Sequence, residues 1–170
     1  MFRAYRDAPI CPQQADAVFF GAFTIARRAL CENVIRRVSR DHNVACFHGI
    51  FGKDLEMRIC NAKVVFLDHA YPGASLEVHR IFPLLAMGKA VVAVRSSDPK
   101  LDSEYEGAVR FANTAADIPD LVNKLLDDDD DRNELIRRGL EFVRVYRERS
   151  NSHLCLALWD LNERVGRVLL

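Results

Sequence analysis

Five short runs of mainly β-branched, aromatic or small apolar residues recur along the chain, at 17–20 (AVFF), 43–47 (NVACF), 64–67 (VVFL), 90–94 (AVVAV) and 108–112 (AVRFA). Within them apolar residues follow one another instead of alternating with polar ones. A strand with one wet face must alternate, because successive side chains point to opposite sides of the sheet. Continuous apolar runs therefore imply burial on both faces. The architecture that buries both faces of a strand is a mainly parallel sheet covered by helices on each side. The expected fold is α/β and doubly wound, a Rossmann-like sheet of about five strands.

The segments between the runs carry helical periodicity. After Gly21, Thr24 is placed to cap a helix whose Ile25, Ala29, Leu30, Val34 and Val38 share one face. A short helix is expected over 53–60 and another over 75–87, the latter stopped by a left-handed Gly88. Pro83 lies inside that second pattern and predicts a kink or restart. Three helices are expected to close the chain. One starts near Asp117-Ile118-Pro119-Asp120, and a second is capped by Asp131 and Glu134. The last spans 152–169, with Leu154, Leu158, Leu161, Val165 and Val168 as its stripe, and Trp159 among them. Residues 1–16 read as an N-terminal extension and 17–170 as one domain.

Charge narrows the function classes. The 24 basic residues balance 24 acidic ones, so no basic surplus argues for nucleic acid as a partner. The arginines are nonetheless concentrated. Arg27, Arg28, Arg36, Arg37 and Arg40 face only Glu32 across 27–40, which suits a small anionic ligand. The run Asp127 to Asp131 reads as a solvated face. Cys11, Cys31, Cys46, Cys60 and Cys155 are scattered without a C-x-x-C pair; they read as reduced thiols, with Cys46 buried in its apolar run. No apolar stretch approaches the roughly 20 residues of a membrane span. With no secretory leader in the first residues either, the expected location is cytoplasmic.

In open α/β sheets, ligands sit beyond the carboxyl ends of the strands, and three loops qualify. The first is Gly21 to Thr24, where a small residue admits a phosphate to a helix start and Arg27 and Arg28 follow. Its single glycine matches neither the dinucleotide fingerprint nor the P-loop. The second is His48-Gly49-Ile50-Phe51-Gly52, able to offer backbone groups and a ring to a base. The third, Asp68-His69-Ala70-Tyr71-Pro72-Gly73-Ala74-Ser75, leads into Glu77, His79 and Arg80. Its His69, His79, Asp68 and Glu77 form no closed metal-ligand set. Glu77 reads as a general base, a helix cap or a ribose contact. His42 and His153 read as solvent-facing, and no Ser-His-Asp or Cys-His arrangement follows from the spacing.

The run AKVVFLDHAYPGASLEVHRIFPLLAMGKAVVAV, with VRFANTAADIPDLVNKLLDDDDDRNELIRRG after it, resembles the carboxyl-terminal, donor-binding half of GT-B glycosyltransferases. The similarity is to glycosyl transferases of group 1 and to the spore-maturation type, and it covers roughly residues 17–148. It implies a domain that binds a nucleotide-sugar donor for transfer of the sugar to an acceptor hydroxyl. By the same resemblance Gly21, Thr24, Arg27 and Arg28 would face the donor diphosphate, and Gly49, Ile50 and Phe51 would hold the nucleobase. His69, Tyr71, Gly73 and Ser75 would line the sugar-phosphate loop, Glu77 would contact ribose and Arg80 would neutralise phosphate.

The resemblance implies no cofactor beyond the nucleotide sugar as substrate, no metal and no assigned catalytic residue. Two positions depart from the family pattern, since Pro72 and Pro83 stand where acidic residues are common. The acceptor domain of such enzymes would have to come from a separate domain or chain, and the last helix could instead support a dimer. Two alternatives stay open. One is a non-catalytic nucleotide-sugar-binding or interaction module on the same fold. The other, a flavodoxin-like or receiver domain, lacks the clustered strand-end aspartates a receiver needs.

Overall fold

The computed structural model describes residues 15–168, with side chains as far as Arg149. Residues 1–14, with Cys11 among them, and the side chains of His153, Cys155 and Trp159 lie outside the described set, so the expectations attached to them stay as stated. The elements run β1 (Ala17–Phe20), α1 (Ile25–Val38), β2 (Val44–Phe47), α2 (Gly52–Cys60), β3 (Val64–Leu67), α3 (Val78–Ala86), β4 (Ala90–Val94), α4 (Pro99–Glu104), β5 (Arg110–Ala112), α5 (Ile118–Asp127) and α6 (Asp129–Val168). All five strands are parallel, in the order β2-β1-β3-β4-β5.

The apolar runs divide by parity into two cores. Phe19, Phe66 and Val92 face one side, where Leu30, Cys31 and Val34 of α1 and Ile118, Val122 and Leu125 of α5 cover them. Val65, Leu67, Val91 and Ala93 face the other, under Ile81, Leu84 and Leu85 of α3 and Val143 of α6. Each fully buried side chain of this size contributes roughly 1.5–3 kcal/mol. β2 departs from the expected two-sided burial. It is an edge strand, so its first three residues, Cys46 included, are only half-buried.

Local chemistry explains most boundaries. Thr24 accepts a hydrogen bond from the Arg27 amide at 3.2 Å, capping α1 as expected. The 75–87 helix is shorter than its periodicity suggests, because residues 75–77 stay outside it. Pro83 does not restart it, since α3 runs unbroken from Val78 to Ala86. Proline costs only the bond to the His79 carbonyl, the ring is exposed, and the buried face Ile81-Leu84-Leu85 holds the helix together across it. Gly88 adopts φ +66° and the Lys89 amide reaches back to the Leu84 carbonyl at 3.0 Å, a Schellman stop.

The C-terminal part differs more. α4 was not evident from periodicity, although Ser97-Asp98-Pro99 carries a start signal: Asp98 caps the Lys100 and Leu101 amides and Pro99 opens the helix. The expected helices at 131 and 152 are one continuous helix from Asp129. Its cap is Asp128, which accepts from the Asp131 amide at 2.9 Å, while Glu134 pairs with Arg137 and Arg138 instead. The aspartate run is not simply solvated. Asp127 binds His42 at 2.8 Å, Asp129 pairs with Arg132, and Asp131 binds Arg110 at 2.6 Å. His42 is consequently held, not solvent-facing.

Candidate functional site

The order β2-β1-β3 places the reversal of strand order between β1 and β3. After β2 the chain must cross back over β1 to enter β3. The loops that leave β1 and β3 therefore diverge to opposite faces and open a crevice beyond the strand ends.

A buried ion cluster closes the floor of that crevice. Arg27, 3% exposed, leaves α1 and crosses to the end of β3. Its Nε and Nη2 donate to the Asp68 carbonyl at 2.9 and 2.5 Å, its Nη1 to the Ala22 carbonyl at 3.4 Å, and its Nη2 also to Glu77 Oε1 at 2.7 Å. Arg80, from the first turn of α3, runs the opposite way. It donates to Glu77 Oε2 and to the carbonyl of Phe20 at the end of β1. Each arginine thus ties its own helix to the neighbouring strand's end, and Glu77 joins the two.

Gly21 makes this possible. Its φ of +142° suits glycine, and a Cβ there would lie 3.1 Å from Arg80 Nη2 and 3.5 Å from Arg27 Nη1. Phe19 and Phe20 lie beneath the guanidiniums, with Arg80 4.6 Å from the Phe20 ring centroid and Arg27 5.8 Å from that of Phe19. Burial raises the Glu77 pKa, but the Arg80 and then the Arg27 guanidiniums outweigh it, so the carboxyl sits below its ordinary value. Burial lowers that of Arg80, opposed by Glu77. Two guanidiniums against one carboxylate leave the cluster with one net positive charge.

This is the Rossmann-like architecture of GT-B glycosyltransferases. The structure is similar to that of an α1,3-fucosyltransferase, with a TM-score of 0.57 and 10% identity over 78% of this chain and 40% of that one. It is also similar to WaaG, a glycosyltransferase involved in lipopolysaccharide biosynthesis, with a TM-score of 0.51 and 13% identity over 83% of this chain and 45% of that one. The chain thus spans less than half the length of either protein. No protein-family model matches the sequence, and no curated protein matches it.

The other expected residues occupy the rim. Arg28 does not join Arg27. One helical step turns it outward, to an exposed groove with Phe23, Ile25 and Glu32. Gly49 and Gly52, at φ +70° and +59°, shape a turn that leaves Phe51 80% exposed, while Ile50 packs on the Val18–Phe47 cluster. Tyr71 is 67% exposed on the third loop, and Gly73 and Ser75 are exposed beside it. His69 alone turns inward. Its Nε2 faces the Val94 and Arg95 carbonyls at 3.0 and 3.1 Å, which requires a proton there, and its Nδ1 is buried without a hydrogen-bond partner.

Beside His69, a small half-open cleft of about 10 Å³ is lined by Asp68, Glu77, Leu76 and Val94, among others. It is far too small for a nucleotide. Two arrangements at the rim were not evident from the sequence. His48 stacks on Phe23, with centroids 5.3 Å apart, and places Nδ1 3.2 Å from the Gly21 carbonyl. The Arg95–Asp98 loop supports the third loop from below; its Ser-Ser-Asp-Pro composition is the signal that marks it as ordered turn and cap.

Proposed function

We propose that this chain is the donor-binding half of a glycosyltransferase, holding a nucleotide sugar whose sugar passes to an acceptor hydroxyl. The observation that carries this reading is the positively charged Arg27–Glu77–Arg80 cluster, set between the ends of β1 and β3 where strand order reverses. The donor's diphosphate would lie over Gly21 to Thr24, above the amino end of α1, where helix polarity and the cluster's charge favour an anion. Gly49, Ile50 and Phe51 would take the base, and Tyr71, Gly73 and Ser75 the sugar-phosphate side. As the sugar leaves, charge grows on the nucleoside diphosphate, and fixed positive groups in this position would stabilise it. The acceptor would be held by another domain or chain, and a reducing, cytoplasmic setting fits the free thiols Cys31, Cys46 and Cys60. Among the described residues no helix is long and apolar enough to cross a membrane.

A second reading, a binding or interaction module without turnover, is favoured by one observation. Arg27, Glu77 and Arg80 spend their hydrogen bonds on each other and on backbone carbonyls, as a purely structural cluster would. A thermal-shift panel of UDP, GDP, ADP, TDP and their sugars tests both readings, with Arg28→Ala as the variant because it alters the rim and leaves the buried cluster intact. A ligand at 100 times its dissociation constant stabilises the fold by about 2.7 kcal/mol. The donor reading expects such a shift with one nucleotide series, reduced in Arg28→Ala. Binding with no sugar release in the presence of acceptor alcohols supports the module, and no shift with any nucleotide overturns both.

A further inference from the structure

The third loop, Asp68 to Ser75, is hydrogen-bonded to a neighbour at His69, Gly73 and Ala74. That neighbour is the turn from Arg95 to Asp98, after β4. The Ser97 hydroxyl donates to the Gly73 carbonyl at 2.8 Å, and the Ser97 amide donates to the Ala74 carbonyl at 3.1 Å. Two and three residues earlier, the Arg95 and Val94 carbonyls hold His69 Nε2. The turn in turn hangs on Asp102 of α4. Asp102 is 2% exposed, and its two oxygens accept from the Ser96 amide at 2.9 Å and the Ser96 hydroxyl at 2.7 Å.

A carboxylate that far from water is costly unless its oxygens are satisfied. Here both are taken by a single residue, so the position of Ser96 is strongly determined. Ser97 and Arg95, on either side of it, inherit that position and transmit it to Gly73, Ala74 and His69. Charge-assisted bonds of this kind are about twice as strong as neutral ones. Gly73 itself sits at φ +78° with open space where a Cβ would be; its peptide is held on the carbonyl side by the Ser97 hydroxyl and on the amide side by the bond from the Ala74 N–H to the Tyr71 carbonyl at 3.3 Å.

We propose that Asp102 is the positioning residue of the ligand-binding loop: through Ser96 and Ser97 it sets the height of Gly73 and Ala74 and the orientation of His69 above the crevice. The inference rests on the donor-site reading for its functional consequence, but its mechanical half stands without a ligand. Asp102 is thus a specificity device, since the Gly73–Ser75 peptide decides which sugar-phosphate geometry the crevice accepts.

The test uses the whole chain with Asp102→Asn, Ser96→Ala and Ser97→Ala, the last altering an exposed hydroxyl and therefore folding even if the first does not. Amide exchange is read without ligand over 68–77 and, as a control, over 118–127, and nitrogen NMR reports the His69 tautomer. At least tenfold faster exchange in 68–77 with the control unchanged, and loss of the single Nε2–H tautomer in Asp102→Asn, is the expected result. Unchanged exchange at 68–77 in both Asp102→Asn and Ser97→Ala overturns the proposal. Affinities for UDP, GDP, ADP and TDP then separate it from the donor reading. A tenfold or greater loss for the nucleotide that binds wild type supports both. A loosened loop with unaltered affinity upholds positioning and overturns the loop's part in binding.

Discussion

Two parts of this molecule are built from the same residue types and obey different physics. On α6, Glu134 pairs with Arg137 and Arg138, and Arg144 pairs with Glu141 and Glu148, all one helical turn apart and all exposed. In the crevice, Arg27 comes from α1 while Glu77 and Arg80 come from the start of α3, so the cluster joins positions up to 53 residues apart in the chain, counting from 27 to 80, and it is largely buried. The surface ladder gives up little hydration and gains little. The buried cluster gives up most of its hydration, and recovers the loss only because the carbonyls of Asp68, Ala22 and Phe20 and a shared carboxylate meet its guanidiniums. Burial, not residue type or spacing, decides which charges organise the fold: Glu77 and Arg80 stand three residues apart, as Glu134 and Arg137 do.

Breaking the buried side should have the largest effect. Glu77→Ala leaves two guanidiniums facing each other at the end of β1, and a loss of about 3 kcal/mol is expected from equilibrium urea unfolding. Failure to see more than a surface-type change would place the cluster with the ladder. Gly21→Ala is next. The new methyl meets Arg80 at 3.1 Å in a backbone conformation that L-residues rarely adopt, so a loss of about 1–2 kcal/mol is expected.

Acidification sharpens the same contrast. Glu77 has a folded pKa below its ordinary 4.5. Its contribution is therefore present above pH 4.5 and is lost as pH falls through the lowered value. Wild type should lose stability more steeply below pH 4.5 than Glu77→Gln does; parallel curves for the two would remove the linkage. Glu134, held at about 2 by Arg137 and Arg138, lies at the surface with its side chain 41% exposed, and 1 M salt should erase its influence while leaving that of Glu77. The smallest effect is expected on the ladder itself. Arg144→Ala should leave the unfolding midpoint unchanged within error, and a clear drop would show that α6 depends on its surface pairs.

The order of elements was legible because parallel strands buried on two faces must be written as unbroken apolar runs, and the helices between them must carry a stripe. AVFF, VVFL and AVVAV read as buried strands by their shortness and β-branched or aromatic content, and Thr24 and Gly88 announced a start and a stop through side-chain and backbone preferences that act locally. Pro83 misled, because its local cost is one hydrogen bond and the packing of Ile81, Leu84 and Leu85 exceeds it. The single long α6 was hidden because nothing in its sequence marks a break or forbids one.

The crevice was legible only in part. Gly21, Arg27, Glu77 and Arg80 stood out as residue types at strand ends, yet nothing in their spacing said that Arg27 would turn inward and Arg28 outward. Still less did it say that the partners of both buried arginines would include the carbonyls of Asp68 and Phe20. Backbone acceptors carry no residue signature, and the pairing of β1 with β3 that brings them together is a long-range event. The sequence by itself determined which residues would be apolar, which would cap and where a chain reversal was affordable, since those are properties of a few neighbouring residues in water. Which charges were buried, and therefore which ones shape the crevice, was decided by the tertiary structure, because the energy of a charge depends on everything that surrounds it.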